Sequence, residues 1–240
     1  MRKDWDDRAR RDVFHYTTWR PGHKWNEGTF FESGERDYVL WVEPVLQSVE
    51  LETTDSNVLD LGCGIGRMTR SLARRFSHVY AVDVSPEMIS RAKAFNKDLS
   101  NVTWHLVDGF DLAFIQDRQI DFAFSFLVFQ HVPHREIVMR NIEEMLRVLR
   151  PGGFFLFQYN GESTQTMDWS GRLIWGILDR WRIPLLPRLL KLDVREAGKT
   201  WAGAILNPQE VVEHIESHGG TLLGSRGVGT PGAWCWGVRQ

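Results

Sequence analysis

Two carboxylates and three glycines carry the first chemical signal in this chain of 240 residues. The run V-L-D-L-G-C-G-I-G-R at 58–67 joins a short apolar segment to glycines at alternate positions, Gly62, Gly64 and Gly66, and helical periodicity begins directly after them. That pattern predicts a strand, a tight turn and a helix start. Glycines there permit positive φ and let a ligand lie against the backbone. A second apolar run over 78–82 ends at Asp83, where a carboxylate can accept both hydroxyls of a ribose. The dinucleotide fingerprint G-x-G-x-x-G turns a helix N-terminus toward a pyrophosphate. Here the spacing is G-x-G-x-G, and Asp60 stands two residues before the first glycine. An acid at that point repels a pyrophosphate and favours an ammonium group. The ligand these residues describe is a nucleoside whose ribose carries a zwitterionic, positively charged tail.

The elements that must hold these groups follow a regular alternation. Residues 67–76 read as an amphipathic helix with Met68, Leu72 and Phe76 on one side. Ser85 is placed to cap a second helix, with Pro86 at its first position and Met88, Ile89, Ala92 and Phe95 toward the sheet. Strands are expected over 102–107 and 120–126, the latter almost continuously apolar, as in a strand covered on both faces. A helix over 137–149, a turn at Pro151-Gly152-Gly153 and a fifth strand over 154–159 complete the series. Strands alternating with helices predict an α/β, doubly wound, Rossmann-like and mainly parallel sheet.

Three segments lie outside that rhythm. Residues 1–50 are rich in aromatics and predict a helical cap, with one helix over 4–16 and a second capped by Ser33. The second helix would run through Val39, Trp41 and Val42, with Val45, Leu46 and Val49 continuing its apolar side. Between them, residues 17–26 have turn chemistry. Residues 51–159 form the core. Within 160–206, Trp169, Leu173, Ile174, Ile177, Leu178 and Trp181 recur at helical spacing before Pro184 and Pro187, which predicts an inserted helical segment where a substrate pocket would open. In 207–240, Asn207 and Glu210 suggest a capping box, and Val211, Val212 and Ile215 would face the sheet. Strands over 221–225 and 234–238 follow, joined by G-V-G-T-P-G.

Further stretches extend the glycine motif: A-V-D-V-S-P-E-M-I at 81–89, V-D-G-F-D-L at 107–112, D-F-A-F-S-F-L-V-F-Q-H-V at 121–132 and M-L-R-V-L-R-P-G-G-F-F-L-F at 145–157. In this order and spacing the chain resembles the class I S-adenosylmethionine-dependent methyltransferases of the small-molecule type. The resemblance implies a seven-stranded sheet of order 3-2-1-4-5-7-6 with an antiparallel closing hairpin, and S-adenosyl-L-methionine as cofactor. It implies that Gly62 and Gly64 lie against the methionine and ribose, that Asp60 serves the ammonium and that Asp83 holds the ribose hydroxyls. Val84 and Met88 would flank the adenine, with Asp108, Gly109 and Phe110 on its edge or other face. Phe126 would offer a backbone carbonyl to the ammonium. In related methyltransferases a segment such as 1–50 closes over cofactor and substrate.

Methyl transfer from a sulfonium asks mainly for positioning, and for a base only when the acceptor must lose a proton. His131, directly after the fourth strand, is the best-placed candidate base, and simple pocket lining is its alternative role. His134 follows Pro133 and reads as a helix start. His15 and His23 belong to the cap, where solvated or packed side chains are the simpler reading. Tyr159, at the carboxyl end of the fifth strand, is an expected substrate contact together with Tyr16 and Trp25 from the cap. Of eleven tryptophans only Trp104 lies between Asn57 and Tyr159. The other ten belong to the cap, the insertion or the hairpin, which suits an aromatic-lined pocket.

Composition narrows the partners. Charge is nearly balanced, 29 basic against 31 acidic residues, so neither nucleic acid nor an anionic membrane is expected as a partner. Two distant cysteines, Cys63 and Cys235, suggest no disulfide framework, and a reducing cytoplasm fits them. The N-terminus is charged where a signal sequence would be apolar, and no apolar run has the length of a membrane helix. No His, Asp and Cys cluster shows metal-ligand spacing, and S-F-L-V replaces the N-P-P-[YF] of adenine and glutamine methyltransferases. The expected acceptor is therefore a small molecule, methylated on oxygen or nitrogen: a metabolite, natural product or glycan-type compound. The alternatives are a cofactor-binding homologue without turnover, acting as partner or sensor, and a nicotinamide oxidoreductase, against which Asp60 and the glycine spacing argue. Oligomeric state is left open.

Overall fold

The computed structural model describes residues 1–18, 24–161 and 203–240. Trp19, His23 and the helical segment expected around Trp169 to Trp181 lie outside these residues. β1 (Asn57–Leu61) occupies the centre of a seven-stranded sheet and pairs in parallel with β2 (His78–Asp83) on one side and β4 (Ile120–Ser125) on the other. β3 (Val102–Leu106) joins β2 and β5 (Leu149–Tyr159) joins β4, both in parallel. β7 (Ala233–Arg239) runs antiparallel to both β5 and β6 (Gly220–Arg226). The resulting order, β3-β2-β1-β4-β5-β7-β6, is the one the resemblance implies.

Alternation along β1 sets the chemistry of its end. Leu59 and Leu61 enter the core shared with α6 (Arg135–Val148) and α7 (Pro208–Ser217). Val58 faces the opposite core, shared with α4 (Arg67–Ala73), and the period of two turns Asp60 the same way. The connections from β1 through α4 to β2, and from β2 through α5 (Pro86–Phe95) to β3, build outward on one side. The β4-α6-β5 connection builds outward on the other. The strand order thus reverses between β1 and β4, and the crevice outside their carboxyl ends is where such sheets bind ligands.

Several local expectations are corrected. In the cap, α1 (Arg2–Tyr16) is kinked at Asp12 (φ −158°, ψ 90°), whose carboxylate accepts from His15 N at 3.0 Å and restarts the helix. α2 (Glu27–Asp37) begins at Asn26, not at Ser33, because Asn26 and Thr29 exchange both bonds of a capping box. Ser33 lies inside α2 and donates to Phe30 O. A π-helical turn, Tyr38–Val42, then precedes α3 (Glu43–Ser48). Its wider spacing buries Tyr38 and Val42 and leaves Val39 and Leu40 about half exposed, so Val39 is not on the apolar side.

The other corrections concern the core. Ser85 caps α5 as expected, accepting from Met88 N at 3.1 Å. Ile89 faces the sheet, whereas Met88 and Phe95 pack with Ala9, Val13 and Phe30 of the cap. Asn207 caps α7 through Gln209 N, but Glu210 reaches Arg135 at 2.8 Å and completes no capping box. β5 begins at Leu149, so Pro151-Gly152-Gly153 is an irregular strand entry; a side chain at Gly153 would meet Arg150 O at 2.9 Å and Asp121 O at 3.1 Å.

Candidate active site

The glycine turn is bonded to the neighbouring strand as well as to its own. Gly62 N and Cys63 N both donate to Val82 O, at 2.8 and 2.9 Å, which sets the turn beside the end of β2. Gly62 and Gly64 have φ of +79° and +54°, conformations that side chains disfavour. A Cβ on Gly62 would sit 2.2 Å from Val128 Cγ2, and one on Gly64 would sit 3.3 Å from Thr17 Cγ2. The space over these glycines is therefore bounded by the β4 loop and by the cap.

Two buried acids flank this turn. Asp60 is 2% exposed, and its carboxylate accepts from Thr69 Oγ1 of α4 at 2.6 Å. Asp83 is 9% exposed; one oxygen accepts from Gly64 N at 3.0 Å and the other from Ser85 N at 2.8 Å. Burial pushes both carboxyls up to about 6, and the Asp83 charge adds to the effect on Asp60. Near neutral pH, two charges stand where water solvates them poorly. A cation or a set of hydroxyl donors entering the cleft would relieve them.

The remaining walls come from several elements. Phe126 ends the β4 side and packs at a tilt against Trp234 with ring centroids 4.9 Å apart. Arg67, the first residue of α4, lies 5.5 Å from the Phe126 ring and forms a buried ion pair with Asp37 of α2. From the cap, Met1, Trp5, Tyr16, Thr17 and Thr18 face the cleft. Trp5 meets His131 edge-on at 5.5 Å. Arg2 donates to Val84 O at 2.9 Å and Val107 O at 3.0 Å, while Asp6 accepts from Ser85 Oγ and from Glu87 N. These bonds fasten α1 across the ends of β2 and β3. Together these walls bound a cleft over the glycine turn that is open at its mouth.

Ten of the sequence-predicted residues converge here: Asp60, Gly62, Gly64, Asp83, Val84, Met88, Gly109, Phe126, Tyr16 and His131 all line the cleft. Four do not. Asp108 is exposed and its carboxylate closes its own loop on Phe110 N at 2.8 Å. The Phe110 ring is 51% exposed. Trp25 packs edge-on against Phe30 inside the cap. Tyr159 is buried beside Phe157 in the core, which pushes its phenol up to about 12. His15 lies against Tyr16 and off the cleft, and His134 takes the N-cap position of α6.

Sequence reasoning passed over Asn141. Its amide donates to Gly109 O at 2.9 Å and to Ile137 O at 2.7 Å, so α6 holds the loop that closes the cleft floor. The signal was present: an asparagine among Val138, Ile142 and Met145, on the buried stripe of a helix, needs a polar partner. Arg67 and Asp37 are a second omission, because their pairing depends on how α2 packs on α4.

With this geometry in place, the comparisons with known proteins become specific. Residues 59–157 match the family model of a methyltransferase domain. The matched domain runs from β1 into β5 and includes the glycine turn and both buried acids. This domain is similar to a demethylmenaquinone methyltransferase of Tropheryma whipplei (strain Twist), 35% identical over 101 residues, covering 42% of this chain and 40% of the relative. It is also similar to a sarcosine/dimethylglycine N-methyltransferase of Halorhodospira halochloris, 34% identical over 151 residues, covering 60% of this chain and 51% of the relative. The chain thus spans about half the length, or less, of these curated relatives. Among solved structures, a magnesium protoporphyrin IX methyltransferase of Synechocystis PCC 6803 with bound SAH superposes with a TM-score of 0.61, covering 99% of this chain and 94% of that one. At 16% identity that likeness concerns the fold.

Proposed function

We propose that this chain is an S-adenosyl-L-methionine-dependent methyltransferase that methylates oxygen or nitrogen of a small organic acceptor. The observation that carries the reading is the pair of buried acids, Asp60 and Asp83, on either side of the glycine turn. They suit a ligand positive at one end and rich in hydroxyls at the other. Asp83 accepts the ribose hydroxyls through the lone pairs its amide partners leave open. Asp60, with the carbonyl of Phe126, takes the ammonium, directly or through water. Val84 and Met88 flank the adenine beside Gly109. When bound, the cofactor supplies a methyl group already activated on a sulfonium. The protein's task is then to orient the acceptor and exclude water.

That task falls to residues 1–50, as a cap on the cofactor-binding core of 51–159, with 160–206 as a substrate-side segment and 207–240 closing the sheet. Trp5, Tyr16, Phe126 and His131 are the acceptor-facing walls, and His131 is the group able to move a proton there. The relatives are named for acceptors as different as a demethylmenaquinone and sarcosine, which supports a small-molecule acceptor. The near balance of 29 basic and 31 acidic residues disfavours nucleic acid. Among the described residues no helix is long and apolar enough to cross a membrane.

Two measurements test the proposal. Calorimetry with S-adenosylhomocysteine should show one site per chain, and labelled S-adenosylmethionine should pass its methyl to a component of a metabolite extract. Failure to bind the nucleoside overturns the reading. Binding without transfer to any acceptor would favour a homologue that has kept the pocket and lost turnover.

A further inference from the structure

We infer that Glu143, His214 and His218 form a binding site for one divalent transition-metal cation, zinc being the natural probe, between α6 and α7 and outside the cleft. His214 lies in the last turn of α7 and His218 follows four residues later at its end, so both rings project from one side of the helix. Glu143 faces them from α6. The ligand atoms of the three residues all lie within 4.8 Å of one another. Glu143 Oε1 is 3.3 Å from His214 Nε2 and 3.6 Å from His218 Nε2. Tetrahedral zinc, with bonds of roughly 2.0–2.2 Å, holds neighbouring ligand atoms about 3.3 Å apart. The two glutamate–histidine separations already match that spacing.

The hydrogen bonds around His218 orient its ring toward Glu143. Its Nδ1 lies 2.8 Å from His214 O, an atom that can only accept, so Nδ1 carries the proton. Ser217 Oγ, 3.1 Å from the same nitrogen, spends its own hydrogen on His214 O at 2.9 Å. In the neutral ring, Nε2 then turns a lone pair toward a carboxylate oxygen, two acceptors facing each other. A proton on Nε2, giving an imidazolium–carboxylate pair, or a shared cation in its place resolves that contact. A backbone carbonyl on the far nitrogen is also the outer support that fixes metal-binding histidines. Two imidazoles and one carboxylate suit zinc, nickel or copper better than magnesium or calcium.

The neighbouring groups shape the site. Arg140 bonds Glu143 Oε2 at 2.8 Å and approaches Glu144 at 3.7 Å, so the carboxylate gives one oxygen to the guanidinium and keeps the other for the histidines. His214 Nε2 also lies 3.1 Å from Met139 O, which can only accept, so in the metal-free ring this nitrogen carries the proton, and a cation binding there would displace that proton and break the contact. His218 is 39% exposed, leaving an entry path and a fourth position for water. The sequence hid this site because the His-x-x-x-His spacing sits in one helix and the glutamate in another. No metal-ligand cluster is expected from spacing along the chain, and the proposed site departs from that expectation because the fold brings Glu143 of α6 to the two histidines.

The test uses full-length protein freed of any purification tag. Zinc chloride is titrated in competition with a chromophoric chelator, and cobalt chloride is followed by its visible absorption. One equivalent of zinc is expected, with cobalt giving the strong bands of a low-coordinate nitrogen and oxygen site. H218A and E143Q should each weaken zinc at least about tenfold, while H134A, outside the cluster, leaves it unchanged. Circular dichroism verifies that each variant is folded, and H218A, at a half-exposed position, guards against a loss caused by unfolding. Absence of zinc binding at sub-millimolar concentration, or undiminished binding in folded H218A and E143Q, overturns the inference.

Discussion

Asp83→Asn separates the structural work of this acid from its work on a ligand. In the folded protein its carboxylate accepts from Gly64 N at 3.0 Å and Ser85 N at 2.8 Å. Asparagine keeps one acceptor oxygen and turns an amide NH2 toward the other donor. That change loses one charge-assisted bond and leaves one buried N–H poorly satisfied, at roughly 1–3 kcal/mol each. Against it stands relief of the burial penalty. A rise from 3.8 to about 6 corresponds to about 3 kcal/mol of disfavoured charge at neutral pH. The two effects offset, so stability should move by no more than about 2 kcal/mol in either direction. Affinity for S-adenosylhomocysteine has no such compensation. Losing one charged acceptor toward a ribose hydroxyl costs about 1.5–3 kcal/mol, or roughly a 10- to 100-fold weaker Kd. Urea melts and calorimetry on the same preparation give both numbers. A folded variant that binds within threefold of the natural protein would refute the assignment of Asp83. The pH dependence supplies a second arm. Both acids titrate near 6 when folded and 3.8 is their ordinary value, so between these the native state holds protons the unfolded chain has lost. Their contribution to stability is therefore greatest below about pH 4 and is lost as pH rises through about 6. Ligand affinity runs oppositely, gaining up to about tenfold per acid between pH 5 and 7, because the ligand favours the charged forms. In D83N only the Asp60 share of that gain should remain.

Other perturbations discriminate between residues that line the cleft and residues that support it. Asn141→Ala removes the bonds to Gly109 O and Ile137 O, and should cost about 1–3 kcal/mol in a urea melt while weakening S-adenosylhomocysteine severalfold. Tyr159→Phe should leave kcat and KM for any acceptor unchanged, because the ring is buried against Phe157 and faces no part of the cleft; a raised acceptor KM would contradict this. His131→Asn should lower kcat while cofactor affinity stays within about threefold, since the ring meets Trp5 at the acceptor wall and touches neither acid. A natural-protein rate profile that is flat through the histidine range would assign His131 to pocket shape and not to proton transfer.

The sheet was legible because its signal is nearly binary. β4, Ile120–Ser125, is buried at every position except Asp121, and the glycine turn needs backbone conformations that few other residues adopt. The cap was less legible. Asn26 and Ser33 are both good N-cap residues, and local sequence ranks them nearly equally. The choice is made by packing, as Phe30 meets Phe14, Trp25 and Phe31, and as Asp37 must reach Arg67. Tyr159 shows the opposite case, a residue misplaced although the pattern was available. Phe155, Phe157 and Tyr159 fall on one side of β5 by the strand period, and the first two are core residues, so the third follows them inward. Alternation, and not its place at the strand's carboxyl end, decides where the Tyr159 ring lies. Asp108 and Phe110 fall outside the cleft lining for a local reason, since an aspartate two residues before an available N–H closes an Asx turn on itself.

The cap is joined to the core at the points where a ligand's two ends would lie. At the β2 end, Arg2 bonds the carbonyls of Val84 and Val107, and Asp6 takes donors from the first turn of α5. At the other end, Asp37 pairs with Arg67, the residue that follows the last glycine of the turn, and Thr17 stands against Gly64. A buried pair such as Arg67 and Asp37 gives weak net stability when intact, yet losing one partner leaves an uncompensated charge. These contacts therefore specify where the cap sits more than they strengthen the fold. The polar clasps bear on Val84 and on the glycine turn, so a displacement of α1 or α2 would alter the surroundings of Asp83 and Arg67 together. Trp5 and Tyr16, the walls proposed for an acceptor, belong to the same helix as Arg2 and Asp6. On the proposed function, access of an acceptor and the geometry of the cofactor cleft would be coupled through α1, and substitutions along its inner side should change both affinities jointly.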